Sequence, residues 1–334
     1  MSHRRDTDYL AISARVRAME NRLLTRERMD RIIDARDDAE ARKVLTECGY
    51  PDAPGMGLES VLAQVREQTR KEQTRKELLA AIPDGRLLEI FTLKYDYHNA
   101  KAILKAEAMG DDPERLLLTG GRYEPAALLA GWQREQMGMC SDTFRKAMEQ
   151  AAVILKDNKD PQGCDLLLDK AYFAEMAQLA QGLGSKYLQG YVRLMVDAAN
   201  LRTLVRVYRM GGDEEFLRGV LLEGGNVSPK SMLTARGGEL SEPFRTGMLA
   251  EAAKLGEAAA KPGMAALTAF EKACDDAITA YLAAARRIPF GEEVVIGYLY
   301  AKEAELTAVR TIFAGRGAWL DGDIIRQRLR ETYC

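Results

Sequence analysis

At 334 residues, with 47% hydrophobic and 29% charged residues, the chain is long enough for two or three domains with a sizeable core and an ordinary aqueous surface. A formal net charge of −2 provides none of the strong positive field that attracts nucleic acid or an anionic membrane. Five cysteines, at 48, 140, 164, 274 and 334, show no C-x-x-C and no regular spacing, so free thiols in a reducing compartment are expected.

The opening MSHRRDTDYLAIS has basic residues but no apolar h-region, so no signal peptide is read. The longest nearly uncharged apolar run, Val294 to Ala301, is far below the ~20 residues that span a bilayer. A soluble, cytoplasmic protein is expected. Apolar residues recur at helical spacing and no alternating segment bounded by turns reads as a strand, which predicts an all-α fold.

In chain order, the first helix is predicted from about Asp8 to Leu24, with Tyr9, Ile12, Val16, Met19 and Leu23 on one face. Thr25 is the expected N-cap of a short helix to Ala35, and Asp37 or Asp38 that of the next, ending near Cys48. Pro51–Gly57 reads as a break. Leu58–Ala81 reads as a long helix whose tandem Glu67-Gln-Thr-Arg-Lys, Glu72-Gln-Thr-Arg-Lys forms i,i+4 pairs on a solvated face.

The next helix, opened by Asp84 and stopped at Gly110, holds the stretch around which the chain is organised, Leu93-Lys-Tyr-Asp-Tyr-His-Asn-Ala-Lys-Ala-Ile-Leu-Lys. Its pattern, D-x-x-N-x-[KR]-x-[IL]-[LV]-[KR], places Asp96, Asn99 and Lys101, and it returns 101 residues later as Asp197, Asn200 and Arg202. A looser third copy has Glu305, Ala308 and Arg310. Helix stops are duplicated too, at Gly110 and Gly211. So is the following turn, Leu118-Thr-Gly-Gly-Arg-Tyr-Glu-Pro matching Leu222-Glu-Gly-Gly-Asn-Val-Ser-Pro, with Leu128 and Met232 beyond. Two glycines before a helix predict a tight turn, and proline after Glu124 or Ser228 predicts a helix start. Long helices, Gln162–Leu183 and Pro262–Arg287, then close each copy.

This predicts helical domains at 85–184 and 185–287, with 1–84 and 288–334 combining into a further one. Asp96, Asn99, Asp197 and Asn200 lie on helices that are apolar nearly all round. They are therefore expected to be buried structural pins bonded to helix termini or to basic residues of neighbouring helices.

Catalytic and cofactor signatures are lacking. There are two histidines, His3 and His98, and the position of His98 is Ala199 and Thr307 in the other copies, so a packing role is expected. The acid pairs Asp37–Asp38, Asp111–Asp112 and Asp275–Asp276 lack the third carboxylate of D-D-x-x-D and read as caps or solvated turns. No P-loop and no G-x-S-x-G elbow is present. No catalytic residue, cofactor or metal is expected.

The sequence resembles the C subunit of the bacterial and archaeal V/A-type ATPases, the counterpart of the eukaryotic V-ATPase d subunit. The likeness rests on Leu93–Lys105, on Val196-Asp-Ala-Ala-Asn-Leu-Arg-Thr-Leu-Val-Arg, on Tyr298–Ile312 and on Ile324-Ile-Arg-Gln-Arg-Leu-Arg-Glu-Thr-Tyr. Tyr9, Ala14-Arg-Val-Arg and Leu45-Thr-Glu-Cys-Gly-Tyr also contribute. It spans residues 9 to 333, and departs from the pattern at Ala308, where Asn is usual. The resemblance implies a funnel of three similar helical domains about a pseudo-threefold axis, on the cytoplasmic face of the membrane rotor ring. It further implies a cavity that receives the central shaft, made of the D and F subunits, and torque transmission without chemistry. Arg4, Arg5, Arg15, Arg17, Arg22 and the short segments after each Gly-Gly are the candidate contact surfaces. The alternative is a helical-repeat scaffold for another protein partner, although units of about a hundred residues exceed the ~20–50 of a solenoid repeat.

Overall fold

The computed structural model describes residues 5–51, 60–62, 64, 65, 67, 68, 80–235, 239–261 and 267–334. Most of the expected tandem helix at Leu58–Ala81 lies outside the described residues, as does Arg4. The fold is all-α: helices follow one another along the chain, and no strand occurs among the described residues. The five cysteines are free thiols.

Helix α1 (Leu10–Glu20) follows a short 3-10 turn, Asp6–Tyr9, and buries Ile12 and Val16 with Tyr9 just before it. Thr25 caps α2 (Arg26–Ile33) by accepting the Arg28 N–H, and Asp37 caps α3 (Asp38–Glu47) by accepting that of Glu40. The chain continues with α4 (Arg86–Met109), α5 (Pro125–Gln133), α6 (Asp142–Val153), α7 (Pro161–Leu183) and α8 (Lys186–Arg209). Then come α9 (Glu214–Val220), α10 (Pro229–Thr234), α11 (Ala250–Ala259), α12 (Leu267–Ala283), α13 (Glu292–Gly317) and α14 (Gly322–Arg328). Pro125 and Pro229 each occupy the first helical position, where the missing N–H has no intrahelical partner to lose. Leu128 and Met232, one turn in, are both fully buried.

Two compact units result, residues 84–192 and residues 1–83 with 193–334, the division falling inside α8. In the first, α4 is the central element. Leu87, Ile90, Leu93, Tyr97, Ala100, Ile103 and Leu104 bury most of it, leaving a narrow strip with Lys94 and His98 exposed, so its order comes chiefly from packing. Each such aliphatic side chain removed from water contributes about 1.5–3 kcal/mol. Helix α7 lies along α4, and α6 packs on both. Tyr97 meets Phe144 edge to face at 5.1 Å and Tyr172 at 5.7 Å.

In the other unit the two ends of the chain share one core. Met29, Ile32, Val44 and Leu45 from the front pack with Val309, Ile312, Phe313 and Leu329 from the back. Polar contacts follow the same route. The Arg316 guanidinium donates to the carbonyls of Ile32, Ile33 and Ala35 at 3.2, 2.9 and 2.8 Å, satisfying the C-terminal end of α2. Arg326 bonds Asp30 at 3.0 Å and also pairs with Asp34, and the Tyr333 hydroxyl donates to Glu20 at 3.2 Å.

If Arg316 is what holds the end of α2, Arg316→Ala should cost about 1–3 kcal/mol, because three carbonyls lose their donor. Hydrogen exchange should accelerate across residues 26–35. Exchange confined to wild-type rates there would remove Arg316 from that role.

Candidate functional site

The repeated motif builds the same contact twice. Asp96 is fully buried on α4, and its Oδ1 accepts the backbone N–H of Arg122 at 2.9 Å and of Tyr123 at 3.3 Å. Three residues on, Asn99 clasps the backbone of Leu118 both ways, donating Nδ2 to its carbonyl at 2.9 Å and accepting its N–H at 2.8 Å. On α8, Asp197 accepts the N–H groups of Asn226 and Val227, each at 3.0 Å, and Asn200 clasps Leu222 with two bonds of 2.8 Å. Positions three apart share a helix face, which is what lets both side chains reach one loop.

The Gly-Gly pairs are the other half of this contact. Gly120 and Gly224 have φ of +112° and +94°, which L side chains rarely adopt. A Cβ at Gly121 would stand 2.1 Å from Asp96 Oδ1, and one at Gly225 the same distance from Asp197 Oδ1. The second glycine therefore exists to let the carboxylate in.

The basic residue of the motif reaches the closing helix. Lys101 Nζ lies 2.6 Å from Asp169 on α7, and Arg202 Nε lies 2.7 Å from Glu271 on α12, with Asp275 bonded to the same guanidinium at 2.5 Å. Asp275 also accepts from Arg330 at 2.6 Å and Asp276 from Lys272 at the same distance, so this acid pair holds ion pairs rather than a cap.

The two copies differ around the carboxylate. Arg122 Nε donates to Asp96 Oδ2 at 2.7 Å and its Nη1 to Glu175 at 2.8 Å, while Tyr97 and Ser141 donate to Glu175 at 2.8 and 2.5 Å. Among the described residues no cation bonds Asp197; Asn226 Nδ2 donates to it instead at 2.8 Å. Burial pushes both carboxyls upward against their donors, Asp96 to about 6 despite Arg122.

In the third copy Glu305 is buried on α13. The Leu24 N–H and the Tyr50 hydroxyl donate to its carboxylate, and Lys302 Nζ lies 2.7 Å away. Leu24 stands two residues before the first residue of α2, as Tyr123 stands before α5 and Val227 before α10. The same helix-entrance N–H is thus held in all three copies, but in the third it comes from the opposite end of the chain. Ala308 supplies no clasp, and Arg310 is exposed.

Of the arginines singled out from the sequence, Arg5 and Arg22 are exposed and Arg15 is half-buried. Arg17 is committed internally, donating to the carbonyls of Ala285 and Ile288 at 2.7 and 2.6 Å and to Glu20 at 2.9 Å. His98 is exposed, its Nε2 3.0 Å from the Leu116 carbonyl, to which the ring donates. Among the described residues no group of three His, Cys, Asp or Glu side chains is placed to hold a metal ion, and no helix is long and apolar enough to cross a membrane.

The family model described as ATP synthase (C/AC39) subunit matches residues 12–328. The chain belongs to this family. It is a non-catalytic subunit of a rotary ATPase. Similar proteins include the C subunit of the V-type sodium ATPase of Enterococcus hirae, 21% identical and covering 98% of this chain and 99% of the relative. The C subunit of the V-type ATP synthase of Thermus thermophilus is 25% identical over 93% of this chain and 94% of its own length. That of the A-type ATP synthase of Methanocaldococcus jannaschii is 23% identical over 96% and 86%.

Asp197→Ala strands the donors of Asn226 and Val227 and should cost about 1–3 kcal/mol by denaturant titration. Gly225→Ala should cost at least as much by collision with the carboxylate, and the double variant less than the sum. Strict additivity would show that the carboxylate is not what demands glycine.

A carboxyl whose pKa is raised on folding contributes stability that is complete below its unfolded pKa and is lost as pH rises through the folded one. For Asp96 that window runs from 3.8 to about 6. The stability of wild type relative to Asp96→Asn should therefore fall across it, by on the order of 1 kcal/mol per pH unit. A difference independent of pH would refute the upward shift.

Proposed function

We propose that the chain is the central-stalk adaptor of a rotary V/A-type ATPase, seating the shaft of D and F subunits on the membrane rotor ring at the cytoplasmic face. In this role it passes torque between ATP hydrolysis or synthesis and ion translocation. Family membership over residues 12–328 carries the reading, and the internal architecture supports it. A part that transmits torque must not yield, and packed helices pinned near their middles by buried polar contacts resist shear.

The adaptor is built from three helical units: 85–184, 185–287, and a third in which 1–84 is completed by 288–334. Support for the third comes from the core shared by Ile32, Val44, Ile312 and Phe313 and from the Leu24–Glu305 bond.

The test is removal and restoration. The tagged full chain should bring down the shaft subunits and the ring from detergent extracts. Complexes assembled without it should hydrolyse ATP without moving ions, and adding the chain back should restore transport. Ion pumping that remains coupled without the chain would reject the adaptor role, and capture of some other protein in place of shaft and ring would favour a scaffold.

A further inference from the structure

We infer that the three turns that end α4, α8 and α13 are copies of one docking module, and that the module binds a protein surface of basic side chains around apolar sockets. This rests on the adaptor reading and names the chain's own residues that make the contact.

The backbone is the same each time. Fourteen residues after Asp96, Asp197 and Glu305 stand Gly110, Gly211 and Trp319, with φ of +72°, +72° and +56°. The next residue donates its N–H back into the last turn: Asp111 to Ala106, Gly212 to Val207 and Leu320 to Gly315, at 2.8, 2.9 and 3.0 Å. This is the helix stop that glycine usually makes. An acid then accepts an N–H at the start of the next helical turn, Asp213 and Asp321 as N-caps and Asp112 from one residue before the cap position of the 3-10 turn Glu114–Leu116. Asp112 accepts from Glu114, Asp213 from Phe216 and Asp321 from Asp323, at 3.0, 2.8 and 2.8 Å.

On this backbone each copy displays two large apolar side chains to solvent: Met109 and Leu116, Met210 and Phe216, Trp319 and Ile324. These six make up more than half of the eleven large apolar residues exposed among the described residues, so the three turns are where such surface is concentrated. Trp319 is the extreme case, 94% exposed in left-handed backbone that suits glycine. It gains no burial within the chain and adopts an unfavourable conformation to stand there. Tryptophan is also the side chain most enriched among residues that dominate binding energy.

The surrounding charge selects the partner. The stretches 109–116, 210–216 and 319–324 carry eight acids against one base, Arg115, in a chain whose net charge is only −2. The carboxylates of Asp111 and Glu215 make no hydrogen bond or ion pair among the described residues, so folding does not account for them. Acids beside apolar anchors repel anionic lipid headgroups and steer towards a basic protein face.

The experiment uses the full chain and a rotary complex from which it has been stripped, with rebinding followed by titration. Trp319→Gly should melt at or above wild type, because glycine suits the helix stop, yet bind about tenfold more weakly. Met109→Ser and Met210→Ser should weaken binding in the same sense. Asp111→Lys and Glu215→Lys should weaken it at low salt and much less at about 1 M salt. Variants that rebind like wild type would overturn the module while leaving the adaptor role intact. A wild-type chain that does not rebind would overturn the adaptor role and the module's partner with it. Wild-type binding to phosphatidylglycerol vesicles that is lost in Trp319→Gly would assign the anchors to lipid and overturn the protein partner.

Discussion

A carboxylate placed inside a helical core must find donors, because no water is there to solvate it. Here the donors are backbone N–H groups at the entrance of the next helix, and much of the architecture depends on that pairing. It sets how the long helix meets the turn, requires glycine where the carboxylate enters, and fixes the start of the helix beyond. Asn99 and Leu118 are 19 residues apart, whereas Asn200 and Leu222 are 22 apart, yet the clasp is the same. The intervening loop changes length and the two ends of the contact do not.

The third copy shows what the contact needs and what it can shed. Leu118 and Leu222 each lie five residues before the second N–H held by the carboxylate, in loops where their backbone groups are available for the asparagine. Five residues before Leu24 is Met19, inside α1, with its backbone already engaged in helix. An asparagine at position 308 would find no such loop to clasp there, which accounts physically for Ala308. The longer Glu305 reaches a segment from the other end of the chain, and Lys302 and Tyr50 take up its remaining capacity.

Much of this was legible in the sequence because it depends on local rules. Caps at Thr25 and Asp37, prolines at helix starts and the left-handed glycines at 110 and 211 are short-range signals. The burial of Asp96 and Asn99 could be read from apolar residues all round their helix. The identity of their partners could not be read fully: Arg122 was of the expected basic kind, but the turn N–H groups lie 26 to 30 residues along the chain. Arg17 looked like surface charge because its carbonyl partners at 285 and 288 are remote in sequence. Trp319 carries no comparable signal, since a left-handed helix stop is usually marked by glycine and this one has none.

Buried ion pairs and amides often contribute less to stability than apolar side chains of the same shape would, because desolvation offsets their attraction. What they add here is discrimination. An all-apolar α4 or α8 could rotate or slide in its groove with little change in buried area, whereas Asp and Asn on one face accept a single register against a single turn. For the adaptor role proposed above, that distinction would matter more than total stability. Under load, a helix that slipped would dissipate work as internal motion, whereas one held by directional bonds at its motif, and by Lys101 or Arg202 to a carboxylate of the closing helix, would move as a body. The polar cost is concentrated in the interior, where register is decided. The apolar cost is at the exposed helix ends, where burial can be gained only from another molecule.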